Sequence, residues 1–177
     1  MEDRYPLCLP YILRYEGGND DDPHDPGGRT SRGVIQREYN AYRRRKGEAT
    51  QDVWKATDEE VSDIYRHQYW DPWCPQLPAG VDLSFFDMAV NAGPSRATIL
   101  LQRALGVRDD GAIGLVTLGA IKDADPIELI VGFANKRLAF YRSLHTFRYF
   151  GKGWTERTLD CKKASLKMAT TATAVTS

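Results

Sequence analysis

Tyr15-Glu16-Gly17-Gly18-Asn19-Asp20-Asp21-Asp22-Pro23-His24-Asp25-Pro26-Gly27-Gly28-Arg29-Thr30 follows directly on an apolar run of Leu7, Leu9, Ile12 and Leu13. The run has helical character, and the two glycines behind Glu16 turn the chain at once. A loop rich in aspartate then follows, stiffened by Pro23 and Pro26 and closed by Gly27-Gly28. So many carboxylates under so many backbone constraints suit a loop that holds a few polar groups over a cleft.

Glu16 is the only acid at the end of that apolar face. A carboxyl placed there is expected to be partly desolvated, which disfavours its charged form and suits a general acid. Asp25 lies in the polar loop, where it is expected to stay ionised. Two carboxyls held at different pKa values form the recurrent pair for cleaving a glycosidic bond. Thr30 adds a hydroxyl able to position a water. Spacing alone leaves a second reading open, in which Glu16 caps or salt-bridges a neighbour and Asp20 to Asp25 form a solvated turn.

The wider sequence resembles one family. Glu16-Gly17-Gly18, the Asp22-Pro23-His24-Asp25-Pro26-Gly27-Gly28-Arg29-Thr30 run and Gly33 are similar to the signature of glycoside hydrolase family 108, lysozyme-like N-acetylmuramidases of phage endolysin and secretion-associated type. The likeness continues through Ile64-Tyr65-Arg66 with Tyr69-Trp70, Phe86-Asp87-Met88-Ala89-Val90-Asn91-Ala92-Gly93, Leu101 to Val107, Asp110 to Gly114 and Gly153-Trp154 with Arg157. Several ordered motifs are more specific together than any one alone. The departures are Asn19 where the family has an aromatic, Asp21 where it has Asn, and Val34-Ile35 where it has Ile-Thr. They bear on substrate contact and loop rigidity more than on the reaction.

The resemblance implies a lysozyme-like peptidoglycan hydrolase cleaving the bond between N-acetylmuramic acid and N-acetylglucosamine. Glu16 would be the general acid, Asp25 would stabilise the charged centre or orient water, and Thr30 would assist. It implies no cofactor and no metal. Tyr69, Trp70, Trp73, Asp87 and Asn91 are the candidate substrate-binding positions, with core packing the alternative for the tryptophans and support of the loop the alternative for Asp87 and Asn91. A peptidoglycan-binding module or secretion factor that has lost turnover is the other function compatible with the scaffold.

The expected fold class is all-α, or lysozyme-like α+β with at most a small hairpin, built as an orthogonal helical domain around a buried central helix. Helices are expected over residues 6–16, 35–46, 57–70, 81–92, 94–105, 113–121 and 126–145. Thr57-Asp58-Glu59-Glu60 is a capping box, and Asp125-Pro126 opens the last of these helices. A single domain is expected over 1–168, with residues 5–90 as catalytic half, 91–160 as a peptidoglycan-associated helical half, and 169–177 as a disordered tail.

Lysine plus arginine and aspartate plus glutamate both number 24, so no global field draws the chain to nucleic acid. Seven acids against three arginines in residues 1–31, and nine bases against two acids in 136–168, give a basic end suited to an anionic envelope or to a solvated helix face. Cys8, Cys74 and Cys161 are too widely spaced for a disulfide framework and read as reduced thiols. The aspartate loop lacks the glycine and distal glutamate of a calcium hand, and His24, His67 and His145 lack zinc-ligand spacing. No secretory signal or membrane span is evident. The expectation is a monomer made in the cytoplasm and released to the periplasm or cell wall by a holin or an export route.

Overall fold

The computed structural model describes residues 3–20 and 29–175; Asp21, Asp22, His24 and Asp25 lie outside them. The described residues are predominantly α-helical, with one small sheet of three two-residue strands among them. It forms two compact units, one ending at Asp71 and the other beginning at Pro72.

In the first unit, α1 (Tyr5–Leu13) begins with Pro6 in its first turn and buries Tyr5, Cys8 and Ile12 along one stripe. It ends sooner than the sequence pattern predicts. The Tyr15 N–H closes a tight turn on the Ile12 carbonyl at 3.0 Å, so Glu16 follows the helix rather than ending it. Strands β1 (Asn19–Asp20), β2 (Thr30–Ser31) and β3 (Val34–Ile35) pair antiparallel in that order. Thr30 faces Asp20 on one side and Ile35 on the other. The two-residue turn between β2 and β3 puts Arg32 at φ 49° and Gly33 at φ 80°, the left-handed pair that tight hairpins require.

Helix α2 (Gln36–Arg45) starts immediately after β3 and buries Tyr39 and Tyr42. Helix α3 (Asp58–Tyr65) carries the full capping box, with Thr57 and Glu60 each bonding the other's backbone N–H. Its continuation, Arg66–Trp70, widens to a π-helical turn, closed by a 2.9 Å bond from the Asp71 N–H to the Arg66 carbonyl. Such turns re-aim the side chains that follow them. Trp70 is 2% exposed, with its ring edge-on to Tyr5 at 5.5 Å.

In the second unit the buried central helix is α4 (Val81–Ala92), whose first nine residues are all buried. Around it pack α5 (Pro94–Leu105), α7 (Pro126–Ser143) and α8 (Phe147–Val175), with α6 (Leu115–Asp123) against α5. Asp125 caps α7 through the Glu128 N–H at 2.9 Å. Helix α8 runs through Gly151 and Gly153 and on through the residues expected as a tail, as far as Val175. The Thr170 and Thr171 hydroxyls donate to carbonyls four residues back at 2.8 and 2.9 Å, and Ala169 is buried. Alanine favours helix, and threonine satisfies its hydroxyl this way without leaving one.

Ser84 and Ser165 share a 2.8 Å hydrogen bond between α4 and α8. Cys8, Cys74 and Cys161 are buried thiols, none of them joined in a disulfide. No helix among the described residues is long and apolar enough to cross a membrane.

Candidate functional site

Glu16 is half-buried, and its carboxyl rests against the β2–β3 turn. A Cβ placed on Gly33 would meet Glu16 Oε2 at 2.8 Å and Cγ at 3.2 Å, and Tyr65 Oη at 2.4 Å. The turn approaches the acid this closely because residue 33 has no side chain. The Tyr65 hydroxyl donates to the Arg32 carbonyl at 2.9 Å, and the Arg32 N–H donates to the Gly18 carbonyl at 3.1 Å. The segment behind Glu16 is thereby bonded to the same turn.

Tyr69 stands beside Tyr65, with ring centroids 5.8 Å apart. Burial pushes its phenol up to about 12, and the negative charges of Glu38 and Glu16 add to the effect. Tyr69 is therefore a neutral phenol at neutral pH. Glu38, the second of them, is an acid that the loop motif does not reveal. It occupies the third position of α2, where its carboxylate accepts from the Ile35 N–H. Burial raises its pKa, against the lowering effects of that bond and of Arg37. A glutamate at the third position of a helix that begins straight from a hairpin was the available signal.

Thr30 lies on β2, and its carbonyl accepts from the Trp54 indole N–H at 3.1 Å. The Arg29 guanidinium covers the Trp54 ring at 4.5 Å and pairs with Asp52 at 2.5 Å. Glu16, Glu38, Tyr65 and Tyr69 thus lie near one another around the β2–β3 turn of the first unit, with Thr30 on the neighbouring strand β2; Asp25 lies outside the described residues. Trp70 belongs to this unit too, but as part of its core.

Trp73, Asp87 and Asn91 belong to the second unit. Trp73 is half-exposed and tilts against Phe85 at 6.2 Å. Asp87 is wholly buried between Arg137 and Arg157. Asn91 accepts from the Tyr141 hydroxyl. Among the described residues no group of three or more His, Cys, Asp or Glu side chains is placed to hold a metal ion.

A family model, glycosyl hydrolase 108, matches residues 9–93. The match spans Glu16, the hairpin, Glu38, both tyrosines and all of α4. The chain is also similar to SagA of Brucella abortus, a solved structure, with 36% identity, a TM-score of 0.80, and coverage of 93% of this chain and 95% of that one. No curated protein matches. Matching the family model across the hairpin and a solved relative across almost its whole length, the chain belongs to the glycosyl hydrolase 108 family.

Proposed function

We propose that this protein acts on the glycan strands of peptidoglycan, and that it does so as an N-acetylmuramidase. Glu16, protonated, donates to the glycosidic oxygen as the bond between N-acetylmuramic acid and N-acetylglucosamine breaks. Asp25 stabilises the oxocarbenium-like centre or orients water, and Thr30 assists. The observation that carries this reading is the placement of the Glu16 carboxyl against Gly33, beside Tyr65 and within the field that Tyr69 shares with Glu38. A proton donor needs such a fixed and partly dry setting.

Mass analysis of products from digested sacculi tests it. Muramidase products from the wild type, with none from a folded Glu16→Gln variant, are the expected result. Full digestion by that variant would remove Glu16 from the chemistry.

A second reading is a protein that binds glycan strands on this scaffold without cleaving them. Family membership requires no cleavage step and so supports this reading better than it supports turnover, and Asn19 favours it, standing exposed on β1 where the resemblance leads one to expect an aromatic. Retention on purified sacculi with no release of reducing sugar would select this reading. In either case we propose a monomer made in the cytoplasm that reaches the wall through a holin or an export system, which fractionation of expressing cells would check.

A further inference from the structure

We infer that Tyr65, acting through Gly33, positions the Glu16 carboxyl; the inference deepens the reading of Glu16 as proton donor and rests on it. Three independent segments converge on one turn. Glu16 approaches from behind α1, Tyr65 from the end of α3, and Gly33 supplies the bare Cα against which both close, its missing Cβ falling 2.8 Å from Glu16 Oε2 and 2.4 Å from Tyr65 Oη. Any side chain at 33 would displace one or both.

The turn itself is held from every side. The Arg32 N–H is bonded to the Gly18 carbonyl at 3.1 Å, and the Arg32 carbonyl accepts the Tyr65 hydroxyl at 2.9 Å. The Arg32 guanidinium pairs with Asp58 and donates to the Ala56 carbonyl at 2.5 Å. Tyr65 is buried, and α3, whose last residue it is, is anchored at its start by the capping box. Its hydroxyl is therefore fixed both in place and in the direction of its proton. The wall facing Glu16 is made of groups that cannot easily shift, which is what a reacting carboxyl requires, because a displacement of about 1 Å is enough to cost about a hundredfold in rate.

Tyr65 is thus a positioning residue rather than a catalytic one: its proton is committed to the Arg32 carbonyl. Tyr65→Phe keeps the ring and removes only the hydroxyl, releasing the Arg32 peptide. Gly33→Ala inserts the missing atom directly. Turnover of soluble glycan strands is measured for wild type and both variants, together with the carboxyl carbon resonance of 13C-glutamate-labelled protein, the Glu16 signal being assigned by its loss in Glu16→Gln.

In Tyr65→Phe, kcat is expected to fall about tenfold or more while KM stays within about twofold. The Glu16 resonance moves or broadens in that variant, with the other glutamate signals in place. If Gly33→Ala does not fold, Tyr65→Phe decides alone. A lowered melting temperature with unchanged kcat and an unmoved Glu16 signal would overturn the inference and leave Tyr65 a purely structural residue. If the wild type itself releases no product, the muramidase reading fails, and the Glu16 resonance in Tyr65→Phe still decides whether the tyrosine holds the carboxyl.

Discussion

Arg137 Nη1 lies 2.6 Å from Asp87 Oδ2, with the two side chains 2% and 0% exposed. The other oxygen of the same carboxylate faces Arg157 Nη2 at 2.8 Å. One carboxylate therefore pairs with two guanidiniums, from α7 and α8, in the interior of the second unit. Burial pulls the Arg137 pKa down, but the charge of Asp87 outweighs it and leaves the guanidinium above its ordinary value. Removing one member of a buried pair strands its partners. Asp87→Asn is expected to cost about 3–5 kcal/mol, seen as a lower urea midpoint with the denaturant slope unchanged.

The capping box of α3 makes a different prediction. Burial works to raise the Glu60 pKa, but the Thr57 N–H, the Tyr39 hydroxyl and Arg43 all bond the ionised form, and the net position is below the usual carboxylate value. A depressed native pKa means that the stabilisation is present above the unfolded pKa and is lost as pH falls through the folded one. Glu60→Gln is expected to lose about 1–2 kcal/mol at neutral pH and to show a flatter acid limb than wild type, measured by urea unfolding across the acid range.

Glu38 carries the opposite sign. Burial raises its pKa, so its ionisation weakens the fold as pH climbs above the ordinary carboxylate value. Glu38→Gln keeps an oxygen for the Ile35 N–H and removes the charge. Stability at neutral pH is expected to be kept or raised. The Tyr69 phenol should move down from about 12, since one of its two negative neighbours is gone. Ultraviolet difference titration of the tyrosines checks this directly.

Gly80 stands at φ 82° before α4, and a Cβ there would lie 2.2 Å from the Ser165 carbonyl oxygen and 3.0 Å from Ile130 Cδ1. The obstacle is α8 backbone, which cannot rotate aside. Gly80→Ala is therefore expected to cost at least about 1–3 kcal/mol through strain and overpacking together, read as a drop in melting temperature.

Much of this architecture is written locally. The greasy run from Val81, the Thr57 box and the Asp125 cap each fix an element with neighbouring residues alone, and each stands where the pattern puts it. Glu16 and Thr30 stand out in the sequence as candidates because the glycines and prolines around them constrain the backbone in an unusual way. The site partners Glu38 and Tyr65 are less so, since Tyr65 meets the turn beside Glu16, and Glu38 comes near Tyr69, only once the chain has folded. Tyr69 and Trp70 are adjacent on one helix, and the π turn sets Trp70 in the core while Tyr69 stays half-buried among the acids. Helix α8 was hidden by Gly151, Gly153 and its threonines, all residues that a propensity reading places outside helices.

The buried thiols give the molecule internal reporters. Cys8 lies in the first unit, and Cys74 and Cys161 in the second. Burial, reinforced by the charge of Asp87, pushes the Cys161 thiol up to about 12, so in the native state it meets an alkylating reagent closed to solvent and in its unreactive form. Modification then records opening events, and peptide mapping of the modified sulfur tells which half of the chain came apart. A timed labelling series on the unmodified protein would thus show whether the half bearing Glu16 loosens ahead of the half bearing Asp87, with no mutation introduced at either.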